Sequence, residues 1–440
     1  MAGYFAVALD NNTFDASLTY HRLDDSYQVQ RIVTNRGRAV EFDHTEPGVA
    51  TVSLIDTDGS FDPTNTGGTF YGRLEPNKPA QVCLQNPADS SWNPVYTGFV
   101  RSISWQPYLN ERFANVEIEL VDGAGLISAA ELTQGAGFGT TPYNAGDVYY
   151  PAGTVTTAVQ TRINQVLDEV GWPSGTLHRQ VFTGNVALQE TTYSPRTSAI
   201  SVIQDAADAE FPGVANFFIT RDGLAAFRGR FAKFNPASVS SGTNWNYTAW
   251  EAGDRTAAAA DPGDVVLVSP PLVVYRDTEN LFTAAICTPQ NIDDADYEGQ
   301  YVESGSITAY GLRTWSAENL LTNGGSLSGT ATTALEECLK FANYYVTNYA
   351  SPKTRVGQVT FRPQPGAHSA ASWNLLCGVD IGDSVTLTTT HSGGGGFSAD
   401  GFFVEGISYV IDLPDGSGVP DVTLSLDLSP DSYYADNPFD

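Results

Sequence analysis

Residues 46–56, EPGVATVSLID, and residues 114–122, ANVEIELVD, decide the fold class of this chain. Apolar side chains fall on every second position of both stretches, as Ala50, Val52 and Leu54 do in the first. This period of two is typical of strands that bury one face. An isolated hairpin cannot bury that face, so the pattern predicts a closed or sandwiched sheet.

The composition of the whole chain points the same way. Among 440 residues there are 42 Gly, 24 Pro, 21 Tyr and 22 Phe, which is typical of many turns joined by short aromatic strands. With 41% apolar and 16% charged residues, the chain is expected to fold rather than to form an acidic disordered tail. The length predicts two to four domains.

The charge balance restricts the partners. The 22 basic and 50 acidic residues give a formal net charge of −28 at pH 7. Such a field repels polyanions, which argues against a surface that binds nucleic acid by neutralising phosphates.

Along the chain, the patterns predict a mainly β protein with an α+β insertion. We expect a first β-barrel domain over 1–125, an inserted α+β domain over 126–235, a linker and β segment over 236–305, and a second β-barrel domain with a C-terminal tail over 306–440.

Three amphipathic helices are predicted from apolar residues at helical spacing. The first runs from Val155 to Val170 and stops at Gly171, and the second follows Thr197 as its N-cap. The third covers Ala331–Tyr349. After the second helix, the stretch NFFITRDGLAAFRGR predicts two strands joined by a turn at Asp222-Gly223.

Other segments lack a clear pattern. Residues 123–153 are rich in Gly, Ala, Thr and Tyr and predict an irregular connection, and the tail PDSYYADNPFD predicts an unpacked arm. The N-terminus has no basic region before its short apolar stretch, and no run of about 18 apolar residues occurs, so neither a signal peptide nor a membrane span is predicted. We therefore expect synthesis and folding in the cytoplasm.

Catalytic and metal-binding patterns are weak. Cys83, Cys287, Cys338 and Cys377 are far apart and predict free buried thiols. No two of the five histidines have metal-ligand spacing, and no nucleophile motif G-x-S-x-G occurs. GAGFGT at 135–140 imitates part of a dinucleotide motif without its βαβ setting, which favours a loop. No cofactor is predicted.

Two acidic groups remain as candidate sites. Asp56, Asp58 and Asp62 resemble the start of a calcium loop, but no Glu closes it, so a turn capped by its own aspartates is favoured. Glu117 and Glu119 share the polar face of one strand. That face is either simply solvated or a negatively charged inner wall.

The order of several motifs resembles phage tail hub proteins, often labelled minor tail proteins in actinobacterial siphophages. In the first half these are the string Arg36–Arg38, the turn Asp58–Pro63, the strand Pro79–Leu84, and the strand pair that begins at Trp92 and includes Gly98 and Val100. In the second half the strings ITAYGLRTWS, LLCGVDIGDSVTL, GFFVEGISYVID and DVTLSLDLSP are similar to the closing β-barrel of that family. The similarity covers about residues 30–235 and 305–430.

The resemblance implies a structural virion protein without enzymatic activity, at the baseplate or tail tip. It implies a homotrimer whose two barrels per subunit form a pseudo-sixfold ring around the channel for DNA ejection. The implied partners are the distal tail protein ring, the tape measure protein and tip or fibre proteins, with genomic DNA only in transit. Three copies carry three times −28, or −84, formal charges, so we expect an acidic channel that repels DNA.

Some segments depart from the family pattern. Residues 1–30 match it loosely and are expected to form a strand that pairs with a neighbouring ring, and no lysozyme, peptidase or fibre domain is predicted after the second barrel. Two alternatives stay open. One is a hexameric distal tail protein, and the other is a β-rich carbohydrate-binding or glycoside-cleaving protein, suggested by seven Trp and many carboxylates.

Overall fold

The structure is a computed structural model of the chain. It describes residues 3–15, 17–23, 28–86, 89–108, 113–132, 148–154, 157–234, 249–253, 266–269, 272–276, 278, 280–290, 299–327, 330–362, 370–389, 396–397, 400–412 and 421–435. Of the expected features, the GAGFGT string, most of the linker that begins at residue 236, and residues 436–440 of the tail lie outside these residues.

The described residues form strands at both ends of the chain and a mixed middle. The first strands are β1 (Gly3–Val7), β2 (His21–Arg22), β3 (Gln28–Gly37), β4 (Glu46–Asp56), β5 (Pro79–Gln85), β6 (Trp92–Pro107) and β7 (Ala114–Val121). The C-terminal elements are β22 (Arg355–Val356), β23 (Gln358–Phe361), α7 (Ala370–Gly378), β24 (Ser384–Thr388), β25 (Asp400–Asp412), β26 (Asp421–Pro430) and a 3-10 helix (Asp431–Tyr434).

The middle of the chain alternates short strands with helices. Its first part consists of α1 (Gly123–Ala129), β8 (Val148–Tyr150), α2 (Ala158–Glu169), β9 (Arg179–Val181), β10 (Val186–Leu188), β11 (Thr191–Tyr193), α3 (Ala199–Glu210), β12 (Asn216–Ile219), β13 (Ala225–Arg228) and α4 (Phe231–Phe234). Its second part consists of β14 (Ala249–Gly253), β15 (Val266–Ser269), β16 (Val274–Tyr275), β17 (Ala284–Pro289), β18 (Gly299–Val302), α5 (Ser304–Tyr310), β19 (Thr314–Leu320), β20 (Thr322–Leu327), β21 (Thr330–Ala331) and α6 (Ala334–Tyr349).

One sheet contains strands from both ends of the chain. Thirteen of the described strands follow the order β2-β1-β5-β6-β7-β4-β3-β25-β24-β14-β15-β23-β26. The long strand β25 joins the two halves, because its first residues pair with β24 and its last seven pair with β3, from Gly406 opposite Gly37 to Asp412 opposite Arg31. The two β regions therefore share one sheet, and their expected division into two β-barrel domains stays a prediction.

The two halves of this sheet differ in closure. In the C-terminal half, β25 also pairs with β26, so the pairings run through β24, β14, β15, β23 and β26 and return to β25. Among the described residues, the N-terminal half has no such return and ends at β2. Within that half, β1 pairs with β5, from Gly3 opposite Leu84 to Val7 opposite Ala80. Strand β1 therefore pairs within its own chain, and the expectation that residues 1–30 pair with a neighbouring ring is wrong for this strand.

The apolar side chains form two cores. The first lies under the shared sheet and takes residues from both ends of the chain, such as Val52, Ile118 and Leu426. The second is built by the middle of the chain and includes Ile163, Ile203 and residues of α6. The domain boundaries stay a prediction, but α6, which was expected in the second β domain, packs in this second core.

The three expected helices are present as α2, α3 and α6. The N-cap of α3 is Ser198 rather than Thr197, whose hydroxyl donates to the Ser194 carbonyl instead. In α6 the hydroxyl of Thr333 accepts from the Glu336 amide while the Glu336 carboxylate accepts from the Thr333 amide. This reciprocal capping explains why α6 begins at Ala334 and not at the expected Ala331.

Two further expectations were wrong. Residues 123–153 are not irregular throughout, because α1 begins directly after β7, with the carboxylate of its N-cap Asp122 accepting from the amides of Ala124 and Gly125. The tail is not an unpacked arm over residues 431–434, since Tyr433 and Tyr434 are buried in the second core. Aromatic side chains in a polar tail can bury apolar surface as soon as a core lies within reach.

Candidate functional site: the outer face of the sheet and its joint

The two glutamates singled out in the sequence lie on the solvent side of the sheet. Residues of β7 alternate between buried and exposed, with Val116, Ile118 and Leu120 inward and Glu117 and Glu119 outward. This placement follows from the two-residue period of a strand.

Hydroxyl side chains surround these carboxylates. Glu117 lies between Ser53 of β4 and Ser104 of β6. Glu119 lies between Thr51 and Ser102, and the Ser102 hydroxyl donates to its carboxylate at 2.8 Å. No like charge is directly opposite either glutamate, so the arrangement avoids the repulsion that adjacent acids on one face would otherwise cause across strands.

This row of polar side chains continues across the junction of the two halves. In β3 and β25, Asn35 is opposite Ser408 and Val33 is opposite Val410, both pairs on the solvent side. Ser408 is in turn opposite Ser425 of β26, which is opposite Thr360 of β23. We call this surface the outer face, defined by the solvent-side residues Arg31, Val33, Asn35, Thr51, Ser53, Ser102, Ser104, Glu117, Glu119, Gln358, Thr360, Arg362, Ser408, Val410, Asp412, Asp421, Thr423, Ser425 and Asp427.

Charges on the outer face are few and partly paired. Its acids are Glu117, Glu119, Asp412, Asp421 and Asp427, and its basic residues are Arg31 and Arg362. Arg362 bonds the Asp421 carboxylate, and Arg31 lies 3.7 Å from that of Asp412. The uncompensated charge is therefore acidic. It comes from the two glutamates and from Asp427, whose pKa is raised by burial and which accepts from Gln358 at 3.1 Å.

The string Arg36-Gly37-Arg38 forms the joint between β3 and β25. Gly37 has a φ of +96°, and a Cβ at this position would lie 2.3 Å from the Glu405 carbonyl oxygen. Only glycine allows the two strands to approach so closely there. Arg38 donates through its Nε to the Glu405 carboxylate at 2.9 Å and through its Nη1 to the carbonyl oxygens of Asp43 and Gly213.

Glu405 points inward because it lies at a bulge. The register between β25 and β26 shifts between Val404 and Gly406, which frees Glu405 from regular alternation. Its carboxylate also accepts from the Lys233 ammonium and from the Ser429 hydroxyl. Burial opposes ionisation, but the charges of Arg38 and Lys233 hold the pKa of Glu405 at about 2. Burial lowers the pKa of Lys233 to about 8, although the negative charge of Glu405 acts to raise it.

Arg36 ties the same joint to the second core. Its guanidinium donates to the Asp380 carboxylate at 3.0 Å and to the Ile219 carbonyl oxygen at 3.2 Å. Arg38 and Arg36 thus each connect a strand of the shared sheet with the middle of the chain. Sequence reasoning noticed the string Arg36–Arg38 as a motif but did not identify Glu405, Lys233 or Asp380 as its partners.

Asp56 is the anchor of a turn. One of its carboxylate oxygens accepts from the amides of Asp58, Gly59 and Ser60, and the other accepts from the Phe61 amide and the Trp105 indole. These donors occupy the lone pairs that a cation would use. The metal interpretation of Asp56, Asp58 and Asp62 stays a prediction, and this geometry favours the turn.

The described histidines and cysteines form no reactive grouping. His21 and His44 each lie within 3.0 Å of one aspartate, Asp10 and Asp208 respectively. The four cysteines are free and buried, as expected. In the part of the chain that the structure describes, no group of three or more His, Cys, Asp or Glu side chains is placed to hold a metal ion, and no helix is long and apolar enough to cross a membrane.

Two solved structures match the chain over nearly its whole length. The tail protein from Neisseria meningitidis MC58 has a TM-score of 0.55 and 12% identity, and the match covers 99% of this chain and 98% of that one. The 43 kDa tail protein of prophage MuSo2 from Shewanella oneidensis has a TM-score of 0.53 and 10% identity, with coverages of 98% and 99%. The chain therefore has the fold of phage tail proteins. No protein-family model and no curated protein matches it.

Proposed function

We propose that this chain is a structural protein of a phage tail, the hub of the baseplate or tail tip. In this role it adapts the sixfold tail tube to threefold tip proteins and forms part of the channel for DNA ejection. The observation that carries the proposal is the outer face, which runs without interruption from β6 across the joint to β23 within a tail-protein fold.

The shared sheet suggests how a ring could form. Each chain has two strand groups, one on either side of the β3–β25 pairing, and three chains supply six such groups. A homotrimer would then match a sixfold tube while keeping threefold symmetry for the tip. A closed ring would also cover the strand edge that the N-terminal half leaves open at β2.

The chemistry of the outer face fits a channel wall that DNA passes without binding. Hydroxyl and amide side chains provide a wet surface, and the uncompensated charge around Glu117 and Glu119 is negative. A wall of this sign repels phosphates, whereas a basic wall would retain DNA through counterion release. Arg101, at the neighbouring bulge of β6, is exposed and is the one basic residue of that strand.

We further propose that the protein acts in the virion without catalysis and without a cofactor, after assembly in the host cytoplasm. Its neighbours there would be the distal tail protein ring, the tape measure protein and tip or fibre proteins. Genomic DNA would meet it only during ejection.

Copy number tests this proposal against its closest alternative. Quantitative mass spectrometry of purified virions, with an isotope-labelled standard of this chain and of the tube protein, should give three copies per tail. Six copies in one ring would contradict the hub and favour a distal tail protein. Release of reducing sugar by the purified chain would contradict a purely structural role.

A further inference from the structure

A projection of the middle region is exposed almost throughout. Residues 300–314 comprise most of β18, all of α5 and the turn before β19, and all of them except Ser306 and Ile307 are exposed. Both ends are tied to Thr283: the Glu303 amide donates to its carbonyl oxygen, and the Arg313 amide donates to its hydroxyl. The segment therefore has a fixed base and a free tip.

The tip of this projection is apolar. Tyr310 and Leu312 are 43% and 66% exposed, and Tyr301 and Val302 on the adjoining strand are 41% and 43% exposed. Helix α5 buries none of its seven residues. A helix this short is marginal in water unless packing covers one of its faces, so the geometry calls for a covering surface.

Charge indicates which kind of surface covers it. Residues 300–314 contain one acid, Glu303, and one base, Arg313, although the whole chain has a net charge of −28. Two copies of so acidic a chain repel each other, and a nearly neutral contact surface adds least to that repulsion. A neutral, aromatic-containing face is also typical of interface cores between proteins.

The same chain offers a concave surface of matching character. A cleft of about 260 Å³ lies between the turn after β1, the sheet and the end of α2, and we call it the aromatic cleft. Phe14, Phe99 and Trp172 line it with ring centroids 5.7 to 6.3 Å apart, and Leu177 at its mouth is 80% exposed. Its volume accommodates a leucine or tyrosine side chain.

The wall of the aromatic cleft contains two acids and no Lys or Arg. Asp15 and Asp222 contribute to its wall. The Asn12 amide donates to Asp15 and lowers the pKa of that carboxyl, and Lys78 adds a smaller effect in the same direction. Arg221 acts in the same direction on Asp222. For Asp222 burial outweighs that effect and raises the pKa. An apolar side chain can pack against the three rings of this cleft, whereas the two carboxylates would repel an acidic one.

We infer that the projection of one copy, with Leu312 and Tyr310 at its tip, docks into the aromatic cleft of the next copy. Because the two surfaces differ, the contact is head-to-tail, and it generates a ring when the rotation closes. This inference rests on the proposed trimer and deepens it by naming the surfaces that meet.

Oligomeric mass tests the contact. Leu312→Asp and, separately, Leu177→Asp should each weaken association of the full chain about tenfold or more in light scattering across a concentration series. Tyr71→Asp, at a position 49% exposed elsewhere, is the matched control and should leave the mass unchanged. Circular dichroism should show that all three variants fold, since these positions are on the surface.

A disulfide test identifies the pairing itself. Chains with Leu312→Cys mixed with chains with Leu177→Cys should form a crosslinked dimer under mild oxidation, and neither variant alone should do so. Unchanged assembly of Leu312→Asp, dissociation of the Tyr71→Asp control, or no crosslink in the mixture would overturn this inference while leaving a trimer possible by other surfaces. A wild-type chain that stays monomeric at every concentration would overturn both the inference and the proposed trimer.

Discussion

The guanidinium of Arg38 lies 2.8 Å from the carboxylate of Glu405, and this buried pair joins residues that are 367 positions apart in the chain. The pair lies at the end of the pairing between β3 and β25. At this point β25 also has its bulge against β26, the only one in that pairing among the described residues. The outer face depends on this joint, because the two halves of the sheet keep a common register only while β3 and β25 stay paired.

Glu405→Gln should destabilise the protein strongly. The substitution keeps the shape of the side chain but leaves Arg38 and Lys233 buried without their counter-charge, which costs about 3–5 kcal/mol. Chemical denaturation measures the change in the free energy of unfolding. Glu117→Gln on the exposed face is the control and should change it by no more than about 0.5 kcal/mol. Equal effects of the two substitutions would mean that Glu405 at the joint contributes no more to stability than an exposed glutamate.

The same variant should reveal a pH dependence. The pKa of Glu405 in the folded protein is about 2, below its ordinary value of 4.5, so its contribution to stability is present above pH 4.5 and is lost as the pH falls towards 2. The difference in unfolding free energy between wild type and Glu405→Gln should therefore narrow over this range. Denaturation series at several pH values measure it, and a constant difference would contradict an ionised Glu405.

Gly37→Ala should destabilise the protein much more than an ordinary glycine substitution does. The new Cβ would meet the Glu405 carbonyl oxygen at 2.3 Å, at a φ of +96°, so we expect a loss of about 3 kcal/mol. Gly72→Ala is the matched control, since Gly72 has a φ of +68° but nothing within 4 Å of its Cβ. The Gly72→Ala variant should lose only about 1 kcal/mol of unfolding free energy, which is the cost of the left-handed conformation itself. Similar losses at both positions would argue against a close approach at the joint.

Asp56→Ala should destabilise the turn after β4 without any involvement of metal. The carboxylate accepts from four backbone amides and one indole, so its removal should cost about 2–3 kcal/mol. The melting temperature of the wild type should be the same with calcium and with a chelator. A rise with calcium that is lost in Asp62→Asn would instead support the metal interpretation.

Glu117→Lys combined with Glu119→Lys should make the assembled protein bind DNA. Both side chains are exposed, so stability should change little, while the reversed charges attract phosphates. Fluorescence anisotropy of a labelled duplex should show binding that weakens steeply as salt rises. Glu75→Lys with Glu318→Lys, also exposed and outside both the outer face and the projection of residues 300–314, is the control. Equal binding by the control would show that the location of the charges does not matter.

Local patterns predicted much of the fold. The alternation in β4 and β7 and the apolar stripe of α6 depend on neighbours within a few residues, so they could be recognised from the sequence. Helix α1 could not, because Gly123-Ala124-Gly125 is typical of a loop. Gly123 is explained only by tertiary packing, since a Cβ there would lie 2.3 Å from the Trp172 ring.

In the candidate site, too, local patterns predicted some features and tertiary contacts determined the others. The outward direction of Glu117 and Glu119 follows from strand period and was predicted. Glu405 was missed because a bulge turns it inward, and the bulge depends on contacts with Arg38 and Lys233 that come from distant parts of the chain. Pairing between β3 and β25 was missed for the same reason, and with it the sharing of one sheet by both halves.

A cryo-electron microscopy reconstruction of the tail tip tests most directly whether the outer face lines a channel. We expect three copies around an open or plugged axis, with Glu117 and Glu119 of every copy facing the axis. A reconstruction in which the outer face lies on the outside of the tail, or in which the axis is lined by basic residues, would contradict it.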